Sequence, residues 1–119
     1  MTTDTSPQKR EPLRIGMTLD IDPSNVSAYK SHHDNSWPEI TKALKSVGIQ
    51  NLSLFNYGSR LFYYAEYVGE ESFDKAMERY AKMPKVQEWE ELMHKYQKKL
   101  EGSEGDVWWQ PMQLIYHLD

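Results

Sequence analysis

The stretch Leu61-Phe62-Tyr63-Tyr64-Ala65-Glu66-Tyr67 narrows the possible folds more than any other part of the chain. Side chains on a strand alternate between the two faces of a sheet, so Phe62 and Tyr64 leave one face while Tyr63 and Tyr67 leave the other. A strand with helices on one side and water on the other has no use for aromatics on both. Its second face must meet another subunit or line a cavity.

The flanking patterns supply the rest of that sheet. Leu13, Ile15, Met17 and Leu19 alternate with polar or small residues, as on a strand with one buried face. Asp22-Pro23-Ser24-Asn25 carries turn and N-cap chemistry, and a helix should follow through Val26 and Tyr29 to about His33. Trp37-Pro38 interrupts it, because the residue before proline avoids the α conformation. Ser36 and Glu39 stand at capping-box spacing, which starts a second helical stretch that buries Ile40, Ala43, Leu44 and Val47 and stops at Gly48. The kink should set Tyr29 and His33 beside Trp37. Asn51 to Phe55 and Arg60 to Val68 read as strands joined through Asn56-Tyr57-Gly58-Ser59. Glu70 to Lys82 reads as a helix with Phe73, Met77 and Tyr80 on its apolar face. After Met83-Pro84, another runs to about Leu100 with Trp89, Leu92, Met93 and Tyr96 at helical spacing. Gly102 to Asp106 is a loop, and Met112 to Leu118 alternates as a last strand.

The order β-α-β-β-α-β is the ferredoxin-like plan: an α+β sandwich whose four-stranded antiparallel sheet carries helices on one face only. Two such sheets packed back to back form a dimeric α/β barrel, so a homodimer is expected. Residues 13–119 are enough for one core, and the polar Met1 to Pro12 is expected to be a flexible tail. Fourteen basic and eighteen acidic residues are dispersed without a basic block, which argues against a nucleic-acid surface. No apolar run is long enough to span a membrane, and the first residues lack a signal-peptide core. The absence of cysteine removes disulfides, thiolate nucleophiles and cysteine metal sites, and a cytoplasmic location is the simplest expectation. Four Trp and eight Tyr exceed what so small a core can enclose with every polar tip satisfied. Some must line a pocket, where an aromatic face can hold the apolar side of a pyranose ring, or a dimer interface.

Chemistry concentrates in Tyr29-Lys30-Ser31-His32-His33-Asp34-Asn35-Ser36-Trp37-Pro38-Glu39. Tyr29 and His33 are four apart and share one helical face. A phenol beside a group that titrates near neutral pH suits acid–base work on a hydroxyl or a ring oxygen. The same spacing also serves a hydrogen bond at the edge of a core, and His33 with Trp37 is equally readable as kink packing. Adjacent His32 and His33 point in different directions with no carboxylate at ligand spacing, so no metal is expected.

The run Tyr-x-x-x-His-x-x-x-Trp-Pro-Glu, here Tyr29, His33, Trp37, Pro38 and Glu39, follows a first strand and an Asp-Pro turn and resembles the signature of L-rhamnose mutarotases. The similarity continues through Leu44-Lys45-Ser46 with Gly48, the Asn51 strand, the aromatic hairpin, the Trp89 to Met93 helix and Met112 to Leu118, covering essentially everything after Pro12. The resemblance implies a cofactor-independent isomerase that interconverts the α and β anomers of a deoxyhexose, L-rhamnose first among them. It implies that His33 matches the proton donor, that Tyr29 matches a substrate-contacting tyrosine, and that Trp89 is the first of a Trp-Trp pair packed on the sugar, with Trp37 beside the substrate. Two positions depart from the pattern: Glu90 replaces the second tryptophan and Leu52 a substrate-contacting tyrosine. Trp108-Trp109 could cap the pocket from the C-terminal loop, but a dimer interface is the first expectation. Glu66 and His117, on the open sheet face, are candidates for a second acid–base group. Two other readings stay open. One is a sugar-binding or dimerisation module that has lost catalysis, motivated by Leu52 and Glu90. The other is a different enzyme on the same barrel, such as a small monooxygenase, although no haem or flavin fingerprint is present.

Overall fold

The computed structural model describes residues 11–103, 105 and 107–119; most of the proposed N-terminal tail, residues 1–10, lies outside them. Strand β1 (Leu13–Ile21) runs through the predicted alternation and buries Leu19 and Ile21 completely. Asp22 ends it: its Oδ1 accepts a hydrogen bond from the Ser24 amide at 2.9 Å and caps a single 3-10 turn. Helix α1 (Val26–Asp34) follows and buries one side chain, Tyr29.

Helix α2 (Pro38–Val47) starts differently from the capping-box expectation. Trp37 is its N-cap, in extended conformation, with no side-chain cap from Ser36. Pro38 at the first helical position makes that cap dispensable, since its missing N–H is one that would have gone unpaired. The C-terminus matches the reading: Gly48 adopts the left-handed conformation at φ 103°. A Cβ there would lie 2.7 Å from the Gly69 amide nitrogen, so both conformation and space demand glycine.

Strands β2 (Ile49–Tyr57) and β3 (Arg60–Tyr67) form the hairpin, β2 being longer at both ends than expected. β3 pairs antiparallel with β1 along its whole length, Leu13 opposite Tyr67 and Asp20 opposite Arg60. Between Gln50 and Ser53 the β2 register shifts by one residue, with Asn51 in the left-handed region at φ 49°. This bulge lets Ile49, Leu52 and Leu54 all face inward, which strict alternation would forbid.

Helix α3 (Phe73–Ala81) is capped by Ser72, whose Oγ accepts from the Lys75 amide at 3.2 Å. Helix α4 (Pro84–His94) stops about six residues before the predicted end. No glycine or proline marks that stop. The chain leaves the helix because Gln97 must reach the free edge of β1.

The fourth strand is divided. Strand β4 (Gln97–Lys98) pairs with Ile21 and Asp20, and strand β5 (Gln110–Met112) pairs with Thr18, Met17 and Gly16 on the same edge. Three steps along β1, from Ile21 to Thr18, are matched by thirteen from Gln97 to Gln110, so ten residues are looped out. The predicted Met112 to Leu118 strand is thereby corrected. Pairing ends at Met112, and the residues after it form no strand, with Leu114, Ile115, Tyr116 and Leu118 exposed and Asp119 3.5 Å from the Arg14 guanidinium. The sheet order β2-β3-β1-β4, with β5 beside β4 on β1, is ferredoxin-like.

All four helices lie on one face. One buried cluster joins Ile21, Leu61, Ile40, Val86, Trp89 and Met93; the other joins Val47, Ile49, Ala65, Tyr67 and Ala76. Half-buried Leu44, Tyr80 and Met83 touch both clusters. The opposite face carries Phe55, Phe62 and Tyr57, all exposed. No helix among the described residues is long and apolar enough to cross a membrane.

Candidate active site

Between the two core clusters the helices and the sheet leave a cavity of about 1100 Å³, the size of a roomy small-molecule pocket. Met17, Leu52, Leu54 and Tyr63 from the sheet's inner face line it, and so do Tyr29 and His33 from α1 and Trp89, Glu90 and His94 from α4. Tyr63 thus meets one of the two demands that the doubly aromatic strand makes, while its outward neighbours Phe62 and Tyr64 sit on the uncovered face.

Tyr29 and His33 share the inner side of α1, with ring centroids 4.5 Å apart. Their hydrogen bond does not join phenol to imidazole. His33 Nδ1 lies 2.8 Å from the backbone carbonyl oxygen of Tyr29. A carbonyl can only accept, so Nδ1 carries the proton and a neutral His33 offers the Nε2 lone pair as its free function. Nε2 makes no hydrogen bond among the described residues. Burial holds the His33 pKa below the usual histidine range, opposed by the Tyr29 carbonyl, so the ring is neutral at pH 7.

Trp89 fixes the imidazole plane. Its ring stands edge-on to His33 at 5.4 Å and edge-on to Trp37 at 5.3 Å. The sequence reading placed Trp37 directly beside the Tyr–His pair, but α4 inserts Trp89 between them. Trp37 backs Trp89 from behind, under the Lys85 ammonium, and is not part of the cavity wall. Trp89 is itself 5% exposed and offers the cavity little of its ring surface.

The Tyr29 hydroxyl accepts a hydrogen bond from Gln97 Nε2 at 2.9 Å, in buried surroundings. Burial pushes this phenol up to about 12, and Tyr63 likewise to about 12. Both stay protonated, and the Tyr29 O–H remains a donor.

Glu66 and His117 are not in this cavity. The Glu66 carboxylate accepts from Asn51 and Tyr64 on the other side of the sheet, bonds that hold its pKa below the usual carboxylate range. His117 sits in the exposed tail, 2.7 Å from Asp119. The sheet separates Glu66 from His33, and neither residue lines the cavity. His32 also points elsewhere, its Nε2 lying 3.1 Å from the Tyr96 hydroxyl. Among the described residues no three His, Asp or Glu side chains gather as metal ligands.

Three further residues belong to the cavity, and only Glu90 was not foreseen there. Trp108 and Trp109, expected first at an interface, line the cavity, because the looped-out segment carries them back over it. Trp109 packs on Tyr63 at 5.6 Å, and Trp108 stacks flat on His94 at 3.8 Å. Glu90 is the third. It faces the cavity at the i+4 position from Val86, inside the stripe Val86, Trp89, Met93 that packs α4 against the core. An acid on a core-facing stripe was the available signal. Burial raises the pKa of this carboxyl, and the His94 imidazole Nε2 lies 3.8 Å from it.

The family described as L-rhamnose mutarotase matches residues 14–118 of the chain. A UPF0734 protein of Dictyostelium discoideum is 39% identical over 101 residues, covering 79% of this chain and 78% of its own. An L-fucose mutarotase of Xanthomonas campestris pv. campestris is 35% identical, covering 88% and 87%. The crystal structure of an L-rhamnose mutarotase from Formosa agariphila superposes with a TM-score of 0.71 at 20% identity, over 90% of this chain and 99% of its own, a likeness of fold.

Proposed function

The chain belongs to the L-rhamnose mutarotase family, and we propose on that premise that it interconverts the α and β anomers of a 6-deoxyhexose such as L-rhamnose or L-fucose. One observation carries the mechanism: His33 faces an aromatic-lined cavity with Nδ1–H committed to the Tyr29 carbonyl and Nε2 free to take a proton. Nε2 removes the proton from the anomeric hydroxyl as the bond between C1 and the ring oxygen breaks, while a proton reaches that ring oxygen. The product is the open aldehyde. The C1–C2 bond rotates, and His33, now an imidazolium, returns its proton to the carbonyl oxygen as the ring closes on the other face. His33 is thus base in one half-reaction and proton donor in the other. Tyr29 O–H donates to a sugar hydroxyl, Tyr63 and Trp109 supply apolar walls, and the largely buried Trp89 backs His33. Protons move and no electrons are stored, so the reaction calls for neither cofactor nor metal. Positioned acid–base groups contribute about 10²–10⁴-fold to such a reaction.

Two copies packed through the open sheet face would cover Phe55, Phe62 and the apolar tail after Met112, an exposed surface that favours a working homodimer. Sedimentation of the wild type against Phe55→Glu tests this. The function is tested by polarimetry of freshly dissolved L-rhamnose and L-fucose. The wild type should shorten the approach to anomeric equilibrium and His33→Ala should not. An unchanged decay with the folded wild type would refute the assignment.

A further inference from the structure

The mechanism needs a proton for the ring oxygen while His33 collects one from the anomeric hydroxyl, and a neutral His33 with Nδ1 tied to a carbonyl cannot supply it. The geometry points to Glu90, which lines the same cavity from α4, as the general acid that protonates the ring oxygen. This rests on the mutarotase reading and completes its proton balance.

Position is the first support. Glu90 lines the same cavity as His33, one residue along α4 from Trp89, whose ring packs edge-on against that histidine. A sugar bound in this cavity is within the walls that both residues help to form. Solvent still reaches 38% of the Glu90 side chain, as a group bordering an open cavity requires.

The surroundings keep its proton in place. Tyr29 of α1, Tyr63 of β3 and Tyr80 of α3 line the same cavity, and the charge of an ionised Glu90 raises the pKa of all three phenols. None of these offers a compensating cation. The fourth neighbour is His94, one turn on, whose own pKa burial lowers, with Lys99 opposing its charge too. His94 stacked on Trp108 is consequently neutral at pH 7 and leaves the carboxyl uncompensated. Lys45 also borders the cavity, but it is an exposed residue of α2. A carboxyl so placed holds its proton to higher pH than one in water. It can donate to the ring oxygen as C1–O5 breaks, then recover the proton from the O5 hydroxyl when the ring recloses.

The decisive comparison is anomer exchange measured across pH for wild type, Glu90→Gln and Glu90→Met, both substitutions near in volume and lacking the proton. Loss of about 10²-fold or more in kcat, with KM changed only a few-fold, is expected. The wild-type rate should fall at high pH as Glu90 ionises. That alkaline limb should vanish in both variants while the acid limb set by His33 stays. Tyr29 and Tyr63, protonated to about 12, do not generate that limb. Infrared difference spectra of wild type minus Glu90→Gln, at a pH where exposed carboxyls are ionised, should show a protonated-carboxyl band that disappears on titration. If His33→Ala is inactive but both Glu90 variants keep wild-type kcat, or the band is missing, Glu90 is not the acid and the mutarotase reading stands. If the wild type accelerates no sugar, both fall together.

Discussion

Tyr29→Phe isolates a single oxygen whose role the structure specifies. The hydroxyl sits on a side chain that is 5% exposed and is the acceptor for Gln97 Nε2, itself on a residue 7% exposed. The other end of that carboxamide, Gln97 Oε1, is buried with no hydrogen-bond partner. Removing the phenol oxygen leaves the Nε2 donor unpaired as well, and an unsatisfied buried polar group costs about 1–3 kcal/mol. The oxygen occupies little volume, so cavity formation adds little. Tyr29→Phe should therefore lose about 2 kcal/mol, which for a domain of this size lowers Tm by roughly 6–10 °C. Gln97→Leu removes the orphaned carboxamide and should be milder. The double variant should be close to wild type, because deleting both partners removes the unpaired group altogether. Urea unfolding of the four proteins gives a coupling energy, expected between roughly 1 and 2 kcal/mol in favour of the pair. Additive losses, or a Tyr29→Phe protein as stable as wild type, would show that the bond does not hold Tyr29 in place.

Trp89→Ala should cost about 3–5 kcal/mol in urea unfolding, since it empties the space between His33 and Trp37; Trp89→Phe should recover a good part of that. Gly48→Ala should lower stability by roughly 1–3 kcal/mol, because its φ of 103° and the Gly69 backbone both exclude a side chain; thermal melts read this directly. A raised Glu90 pKa contributes stability that is full below the ordinary glutamate value of about 4.3 and is lost as pH rises through the folded value, so the Tm advantage of Glu90→Gln over wild type should grow from about that ordinary value upward and level off above the folded one. His33 must be neutral to accept a proton and burial lowers its pKa, so the acid limb of the kcat profile should fall below the ordinary histidine value of about 6.5.

Much of this organisation was readable from local pattern. The alternation of Leu13 to Leu19, the Asp22 turn, the Pro38 break and the Gly48 stop each depend on a few neighbouring residues, and the structure has all four. His33 and Tyr29 fall on one face because helical spacing puts them there. What escaped the sequence depends on partners far along the chain. The end of α4 is dictated by the edge of β1, and a two-residue strand at Gln97 is too short for any period to declare. The ten-residue excursion before Gln110 returns Trp108 and Trp109 to the cavity, and nothing local distinguishes that from an interface role. The bulge at Asn51 reverses which residues of β2 face inward. Glu66 lies on the face of the sheet away from the cavity and His117 in the exposed tail, so neither lines it, while Glu90 reads in the sequence as the loss of an aromatic wall.

The most direct test is saturation-transfer NMR at anomeric equilibrium, irradiating one anomeric proton of L-rhamnose, then of L-fucose, with wild type and His33→Ala at equal concentration. Transfer to the other anomer that is strong with the wild type and falls to the uncatalysed level with His33→Ala is the predicted result. Equal transfer with both proteins, each folded, would contradict the assignment of the chemistry to His33, and transfer with neither would contradict mutarotation itself.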